Sequence, residues 1–255
     1  MSALVEATDI SVSFGDTPVL ETVSLAVNAG EAVGVVGPNG AGKTTLLKVL
    51  TGVLTPDAGH VTVQGDRLET LSRRDVARRM AVVPQTTPQV FDYSVLEFVL
   101  MGGFARSREF VPSGRQLQQA TAALEEMAIS DLATRPVSRV SGGELQRALL
   151  AQAMVADAPL WLLDEPTASL DVRHRSRVLR TVRRHTDGGA GAIAVLHDLE
   201  LVHRFFDRVI ALADRRIRVD GPPDEVLTPE VVSEMYGVSM RRGLVDGQVV
   251  WIEAE

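Results

Sequence analysis

Apolar residues alternate with polar ones through the first thirty positions: Ile10, Val12 and Phe14, then Val19, Leu20, Val23, Leu25 and Val27. Gly15-Asp16 separates the two runs, so the pattern predicts antiparallel strands joined by a turn. The short run inside Glu31–Gly37 predicts a strand buried on both faces. A helix is expected from Lys43 to about Leu50. Gly59–Gly65 alternates like an edge hairpin strand, and Ala81–Pro84 reads as another short buried strand. From Ser94 to about Ala156 the spacing turns helical, through Val95, Phe98, Val99 and Gly102, then Leu117, Ala120, Leu124 and Met127. Strands at Leu160–Leu163, Ala192–Leu196 and Arg208–Leu212 alternate with helices at Val172–His185 and Leu199–Phe206. A helix near Pro229–Tyr236 and a terminal strand near Val249–Ile252 follow Pro222-Pro223. Alternating strands and helices imply a mostly parallel sheet with a helical insertion in its middle.

The chain has 255 residues, 45% of them hydrophobic, which suffices for one substantial core or one core and a small subdomain. The net charge of −7 argues against nucleic acid as the main partner, because phosphate neutralisation needs a basic face. Cysteine is absent, so disulfides are excluded and the redox compartment stays unread. The start carries neither a basic region nor a long apolar run, so it does not read as a signal peptide. No apolar stretch approaches the roughly 20 residues that cross a bilayer. These features describe a soluble, cytoplasmic α/β domain. Lysine occurs only at Lys43 and Lys48; every other basic residue is arginine.

Gly37, Pro38, Asn39, Gly40, Ala41, Gly42, Lys43, Thr44 and Thr45 match G-x-x-x-x-G-K-[ST] between a predicted strand and a predicted helix. Glycines let backbone N–H groups turn inward around phosphate oxygens, and the helix N-terminus adds partial positive charge. Lys43 is expected on the β- and γ-phosphates and the Thr44 hydroxyl on Mg²⁺. The buried strand ending at Asp164 brings a carboxylate to the sheet edge where Mg²⁺ would sit. Glu165, next in line, is placed to orient and deprotonate an attacking water. Ser141, Gly142, Gly143 and Glu144 lie about twenty residues before Asp164. Alone they read as a capped helix start.

Together these elements resemble the ABC ATPase family, whose signature is usually Leu-Ser-Gly-Gly-Gln; here Val140 and Glu144 replace its ends. The resemblance covers almost the whole chain. It implies an α/β fold: a P-loop NTPase (RecA-like) core over 1–87 and 156–220, with an antiparallel β subdomain. A helical subdomain is inserted over 88–155, and a tail follows over 221–255. Phe14 falls where the family stacks an aromatic on adenine, although a core aromatic on a strand reads the same way. Gln85 matches the glutamine loop, whose side chain reaches the Mg²⁺ shell with Thr44 and Asp164. Asp171, with Ser169 and Leu170, matches the loop crossing the dimer interface. His197 matches the switch histidine at the γ-phosphate. His60, His174, His185 and His203 match nothing and are expected to be surface or helix residues.

The resemblance further implies a head-to-tail dimer in which ATP bridges the phosphate loop of one copy and Ser141–Gly143 of the other. Glu165 is the implied general base, and Lys43 and His197 stabilise γ-phosphate charge. The segment Phe91–Gly102 and the tail Leu227–Val238 resemble importers of ferric siderophores, haem and cobalamin. A multi-span permease, a substrate-binding protein and a place on the cytoplasmic face of the membrane are implied with them. A soluble cluster-assembly ATPase fits the same length. The Arg-rich stretch Arg173–Arg184 reads as a solvated face or a contact surface.

Overall fold

The computed structural model describes residues 3–85, 92–107 and 112–254. In chain order its strands are β1 (Ala3–Phe14), β2 (Thr17–Asn28), β3 (Ala32–Val36), β4 (Ala58–Val63), β5 (Asp66–Arg67), β6 (Met80–Val83), β7 (Leu160–Asp164), β8 (Gly191–Val195), β9 (Arg208–Ala213), β10 (Arg216–Gly221), β11 (Met240–Val245) and β12 (Gln248–Glu253). Its helices are α1 (Lys43–Leu50), α2 (Arg73–Arg79), α3 (Val95–Leu100), α4 (Gly114–Glu126), α5 (Gly142–Ala156), α6 (Val172–Asp187), α7 (Leu199–Phe205), α8 (Pro223–Val226) and α9 (Pro229–Tyr236).

β1 and β2 pair antiparallel through a turn at Gly15, whose φ of 59° is left-handed backbone that glycine adopts without strain. With β4 and β5 they form an antiparallel sheet of order β2-β1-β4-β5. The central sheet runs β10-β9-β3-β8-β7-β6; its strands are parallel except for β10, which folds back antiparallel on β9.

The two-residue period of a strand divides the core between the two faces of this sheet. Val33 and Val35, Leu160 and Leu162, Ile193 and Val195, and Ile210 and Leu212 face the antiparallel sheet and α1. Ala32 and Val36, Trp161 and Leu163, Ala192 and Ala194, and Val209 and Ala211 face the remaining helices. The helix-facing positions are smaller on β8 and β9, which lets α7 approach: a Cβ on Gly34 would stand 3.3 Å from Val202. A one-residue slip of any central strand would exchange the two sets and leave both cores misfilled.

The helical insertion is built on caps. Ser94, Ser113 and Ser141 each form a capping box, with Glu97, Gln116 and Glu144. α3 ends early. Gly102 lies against α5 so tightly that a Cβ there would be 2.1 Å from the Gln152 carbonyl oxygen. Helical spacing runs on past Leu100, but the chain turns where the backbone meets α5. Phe91, the first residue of the importer-like segment, lies outside the described residues.

Several elements were not expected from the sequence: β5, β10 and α8, and more tellingly α2 and β11. α2 is mostly charged, with Val76 alone packed partly buried against the core and no fully buried residue, so no apolar period announced it. β12 was expected; its partner β11 was not, because Met240–Val245 carries two arginines and a glycine. On α6 the arginines serve as contacts: Arg184 pairs with Glu126, Arg183 with Asp187 and Asp207, and Arg175 donates to the Leu170 carbonyl. Two histidines expected at the surface or on helices lie on helices but are sequestered. His185 stacks on Trp161 at 3.9 Å between ring centroids, and the His203 side chain is 4% exposed beside Asp224. Among the described residues no helix is long and apolar enough to cross a membrane.

Candidate functional site

Four neighbouring strands deliver the candidate residues to one edge of the sheet. β3 runs into Gly37, β6 reaches Gln85, β7 ends at Asp164 before Glu165, and β8 leads to His197. All four strands are parallel, so all four loops leave from the carboxyl edge, where open α/β sheets hold ligands.

Gly37, Gly40 and Gly42 have φ of 149°, 80° and 96°. A Cβ on Gly37 would stand 2.0 Å from the Leu212 carbonyl oxygen, and one on Gly42 would stand 2.8 Å from Leu20. The loop is thus bent by glycine backbone and seated against β9 and β2. Gly42 caps α1, so the loop amides converge on the helix N-terminus. Lys43 is 6% exposed and donates to the carbonyls of Gly37 (2.7 Å) and Pro38 (2.8 Å). Burial pushes its ammonium below the usual lysine range, against the pull of the Glu165 and Asp164 carboxylates.

The Thr44 hydroxyl donates to Asp164 Oδ1 at 3.4 Å. Burial raises the Asp164 carboxyl above its ordinary value, and the Thr44 hydrogen bond opposes that rise. One hydroxyl and one buried carboxylate suit Mg²⁺, which takes few protein ligands and completes its octahedron with water and phosphate oxygens.

Glu165 lies beside this pair with φ of 51°, a left-handed residue directly before Pro166. Such backbone costs about 1–3 kcal/mol and collects at functional positions. The Glu165 side chain is 15% exposed. Gln85 Nε2 donates to its Oε2 at 2.8 Å, and His197 Nε2 lies 2.7 Å from its Oε1. Gln85 therefore engages Glu165 rather than the Thr44–Asp164 pair.

The Ser141 segment opens α5. The Ser141 amide donates to Glu144 Oε2 at 2.7 Å, and the Glu144 amide donates to Ser141 Oγ at 3.3 Å. Those bonds hold the Glu144 carboxyl below its usual range. Gly143 abuts Ser169: a Cβ there would be 2.9 Å from the Ser169 carbonyl oxygen. Asp171 caps α6 by accepting from the His174 amide at 2.9 Å, which lowers its carboxyl. Ser141 and Gly142 are exposed, and a Cβ on Gly142 would meet nothing within 4 Å. The sequence pattern missed Arg147, which is buried and donates to the carbonyls of Gly143, Met127 and Ala128. It pins the end of the Ser141 helix, and a lone arginine on an apolar helix carries no sequence signal for that task. Phe14 is 56% exposed, which removes the core-aromatic reading.

The pattern of residues described as ABC transporter matches positions 20–168. The chain belongs to the ABC transporter family. This ABC ATPase is 40% identical over 241 residues to the cobalamin import ATP-binding protein BtuD of Halobacterium salinarum, covering 93% of the chain. It spans only 60% of that relative's length. It is 38% identical over 246 residues to the hemin import ATP-binding protein HmuV of Rhizobium meliloti, covering 93% of each chain. Its fold matches a solved ATP-binding subunit of an ABC transporter with a TM-score of 0.80 and 25% identity, over 92% of this chain and 95% of that one. It matches a dimeric bacterial ABC transporter cassette at 0.79 and 22% identity, over 86% and 98%. The ABC ATPase fold expected from the sequence is the fold observed.

Proposed function

We propose that two copies of this ABC ATPase close head to tail around two ATP molecules and thereby energise a membrane importer. The observation that carries the reading is the meeting of Gln85, Glu165 and His197 beside the phosphate loop. In each site Gly37–Thr45 of one copy grips the phosphates and Phe14 stacks on adenine. Ser141, Gly142 and Gly143 of the other copy meet the γ-phosphate. The first amides of α5 have no intrahelical partner, and the exposed helix end offers them with its dipole. Glu144 fixes Ser141, and Asp171 holds the adjoining loop at the interface.

Hydrolysis then follows from positions. Glu165 accepts a proton from water as the water oxygen bonds to the γ-phosphorus. The bond from that phosphorus to the bridging oxygen breaks, and ADP takes the electron pair. Lys43 leaves the Gly37 and Pro38 carbonyls for the phosphate oxygens, and His197 supplies a second donor to the γ-phosphate. Thr44 and Asp164 would hold Mg²⁺, and the ion would neutralise phosphate charge when bound. Loss of the γ-phosphate removes what held the two copies together.

The residues over 88–155 form the permease-facing unit in this reading. A groove of about 1030 Å³ runs between the helical insertion and the core, and Val53, Val82 and Phe104 present exposed apolar surface along it. Cytoplasmic helices of a multi-span permease fit such a groove. In this reading the protein sits peripherally on the cytoplasmic face, fed by a substrate-binding protein on the far side. The cargo class is a metal chelate such as haem, cobalamin or a ferric siderophore. The names of the relatives support haem and cobalamin. Affinity purification from detergent-solubilised membranes tests the reading. A multi-span membrane protein that raises ATPase activity on reconstitution supports it, and recovery with soluble scaffold proteins alone refutes it.

A further inference from the structure

His197 is tied to α7 through its neighbour. Asp198 caps that helix, and its Oδ1 accepts from the amides of Glu200 (3.0 Å) and Leu201 (3.2 Å). α7 has seven residues, about two turns. Leu199, Val202 and Phe205 form one stripe along it, buried in the apolar core cluster. A short helix held along one stripe can still roll about its axis. At a Cα radius of about 2.3 Å, a roll of about 25° carries the backbone through about 1 Å.

The tail holds a second stripe. Glu200 and His203 lie three residues apart on another side of α7, and both meet residues beyond Gly221. The Trp251 amide on β12 donates to Glu200 Oε1 at 3.3 Å. The rings of His203 and Trp251 stand 6.0 Å apart between centroids, tilted by 37°. His203 Nδ1 lies 3.0 Å from Asp224 Oδ1 on α8. The hairpin is itself anchored. Arg242 on β11 donates to the Asp224 carbonyl at 3.0 Å, and Ser233 Oγ on α9 accepts from the Met240 amide at 2.8 Å. Met240 and Trp251 both pack on the core cluster. Trp251 Nε1 is buried with no hydrogen-bond partner among the described residues, so the indole serves α7 through its ring.

We infer that Trp251 is a positioning residue for ATP hydrolysis. With β12 it stops α7 from rolling, and so keeps His197 at its place 2.7 Å from Glu165. The hairpin at the end of the chain is thereby part of the catalytic support. The inference rests on the proposed role of His197 at the γ-phosphate.

Steady-state ATPase kinetics of the full chain test it, alongside equilibrium titration with a fluorescent ATP analogue and Mg²⁺ and thermal melting. Trp251→Ala is expected to lower kcat about five- to a hundredfold, since a misplacement of about 1 Å costs up to about a hundredfold. KM and the Kd of the analogue should stay within about twofold. Trp251→Phe keeps a ring against His203 and should recover most of kcat. Glu200→Ala removes an exposed side chain and should lower kcat by a smaller factor, again with binding unchanged. His197→Ala is the control for the site and should lose kcat while still binding the analogue. If it does and neither Trp251→Ala nor Glu200→Ala loses kcat, the positioning role is overturned and the site stands. If His197→Ala hydrolyses ATP as the wild type does, the reading of His197 itself fails. A Trp251→Ala variant that loses kcat, analogue binding and Tm together, or whose loss phenylalanine does not repair, would mark the tail as packing and overturn the inference. Should Trp251→Ala not fold, Glu200→Ala decides: an unchanged kcat overturns the inference.

Discussion

His197 Nε2 stands 2.7 Å from Glu165 Oε1, so a ring following β8 and a carboxylate following β7 meet side by side. Gln85 occupies the other carboxylate oxygen at 2.8 Å. Three loops from adjacent strands therefore converge on one side chain, itself fixed by left-handed backbone. Each carboxylate oxygen thus has one partner and keeps a lone pair free.

Glu165→Gln keeps shape and hydrogen-bonding capacity and removes the basic oxygen. It is expected to bind ATP, accumulate the closed dimer and lose about a hundred- to ten-thousand-fold in kcat. Size-exclusion chromatography with Mg-ATP and phosphate release measure both effects. Turnover at the wild-type rate would take the base assignment away from Glu165.

Gly142→Ala separates the two surfaces of the site. In a single copy the new methyl group meets nothing within 4 Å, and φ there is not left-handed, so the fold should be unchanged or stabilised by up to about 1 kcal/mol. Across a closed dimer it would meet the γ-phosphate. ATPase activity should fall at least tenfold with Tm intact. Full activity would mean that the exposed end of α5 never touches nucleotide.

Acid should destabilise the fold through His185. Burial against Trp161 depresses its pKa to about 4 from an ordinary value of 6.5. The unfolded chain therefore binds the proton first, and stability present above about pH 6.5 is lost progressively as pH falls toward 4. His203, also depressed by burial, acts in the same direction. Melting curves at pH 7 and pH 5 should show a lower midpoint at pH 5. His185→Gln should flatten that slope, and an unaltered slope would remove His185 from the account.

Phe104, 51% exposed on the groove beside the helical insertion, is the place to break coupling without touching the nucleotide. Phe104→Asp is expected to preserve ATPase activity of the isolated subunit and abolish stimulation by the reconstituted permease. Equal stimulation of variant and wild type would move the docking surface elsewhere.

Short buried strands, the phosphate loop and the capped start of α5 were legible in sequence because each is a local pattern. Strand period, glycine spacing and a serine three residues before a glutamate announce themselves within ten positions. α2 and β11 were illegible because charged side chains dominate them and the few apolar ones show no period. Phe14 was ambiguous for the opposite reason: its residue type fits inside or outside, and only its 56% exposure decides. His203 looks like an ordinary helix residue until the tail folds onto α7 and brings Trp251 beside it.

The order of residues by itself determined the chemistry available to this protein: a glycine-rich anion loop, a carboxylate pair after an apolar strand, and a capped helix carrying two glycines. Local rules suffice there, since backbone freedom, capping and strand period depend on near neighbours. The tertiary structure alone decided who meets whom. The parallel order β3-β8-β7-β6 brings Gln85, Glu165 and His197 together, and the fold of the tail lays β12 against α7. Such meetings depend on which faces pack and in what strand order, and that information is spread over the whole core.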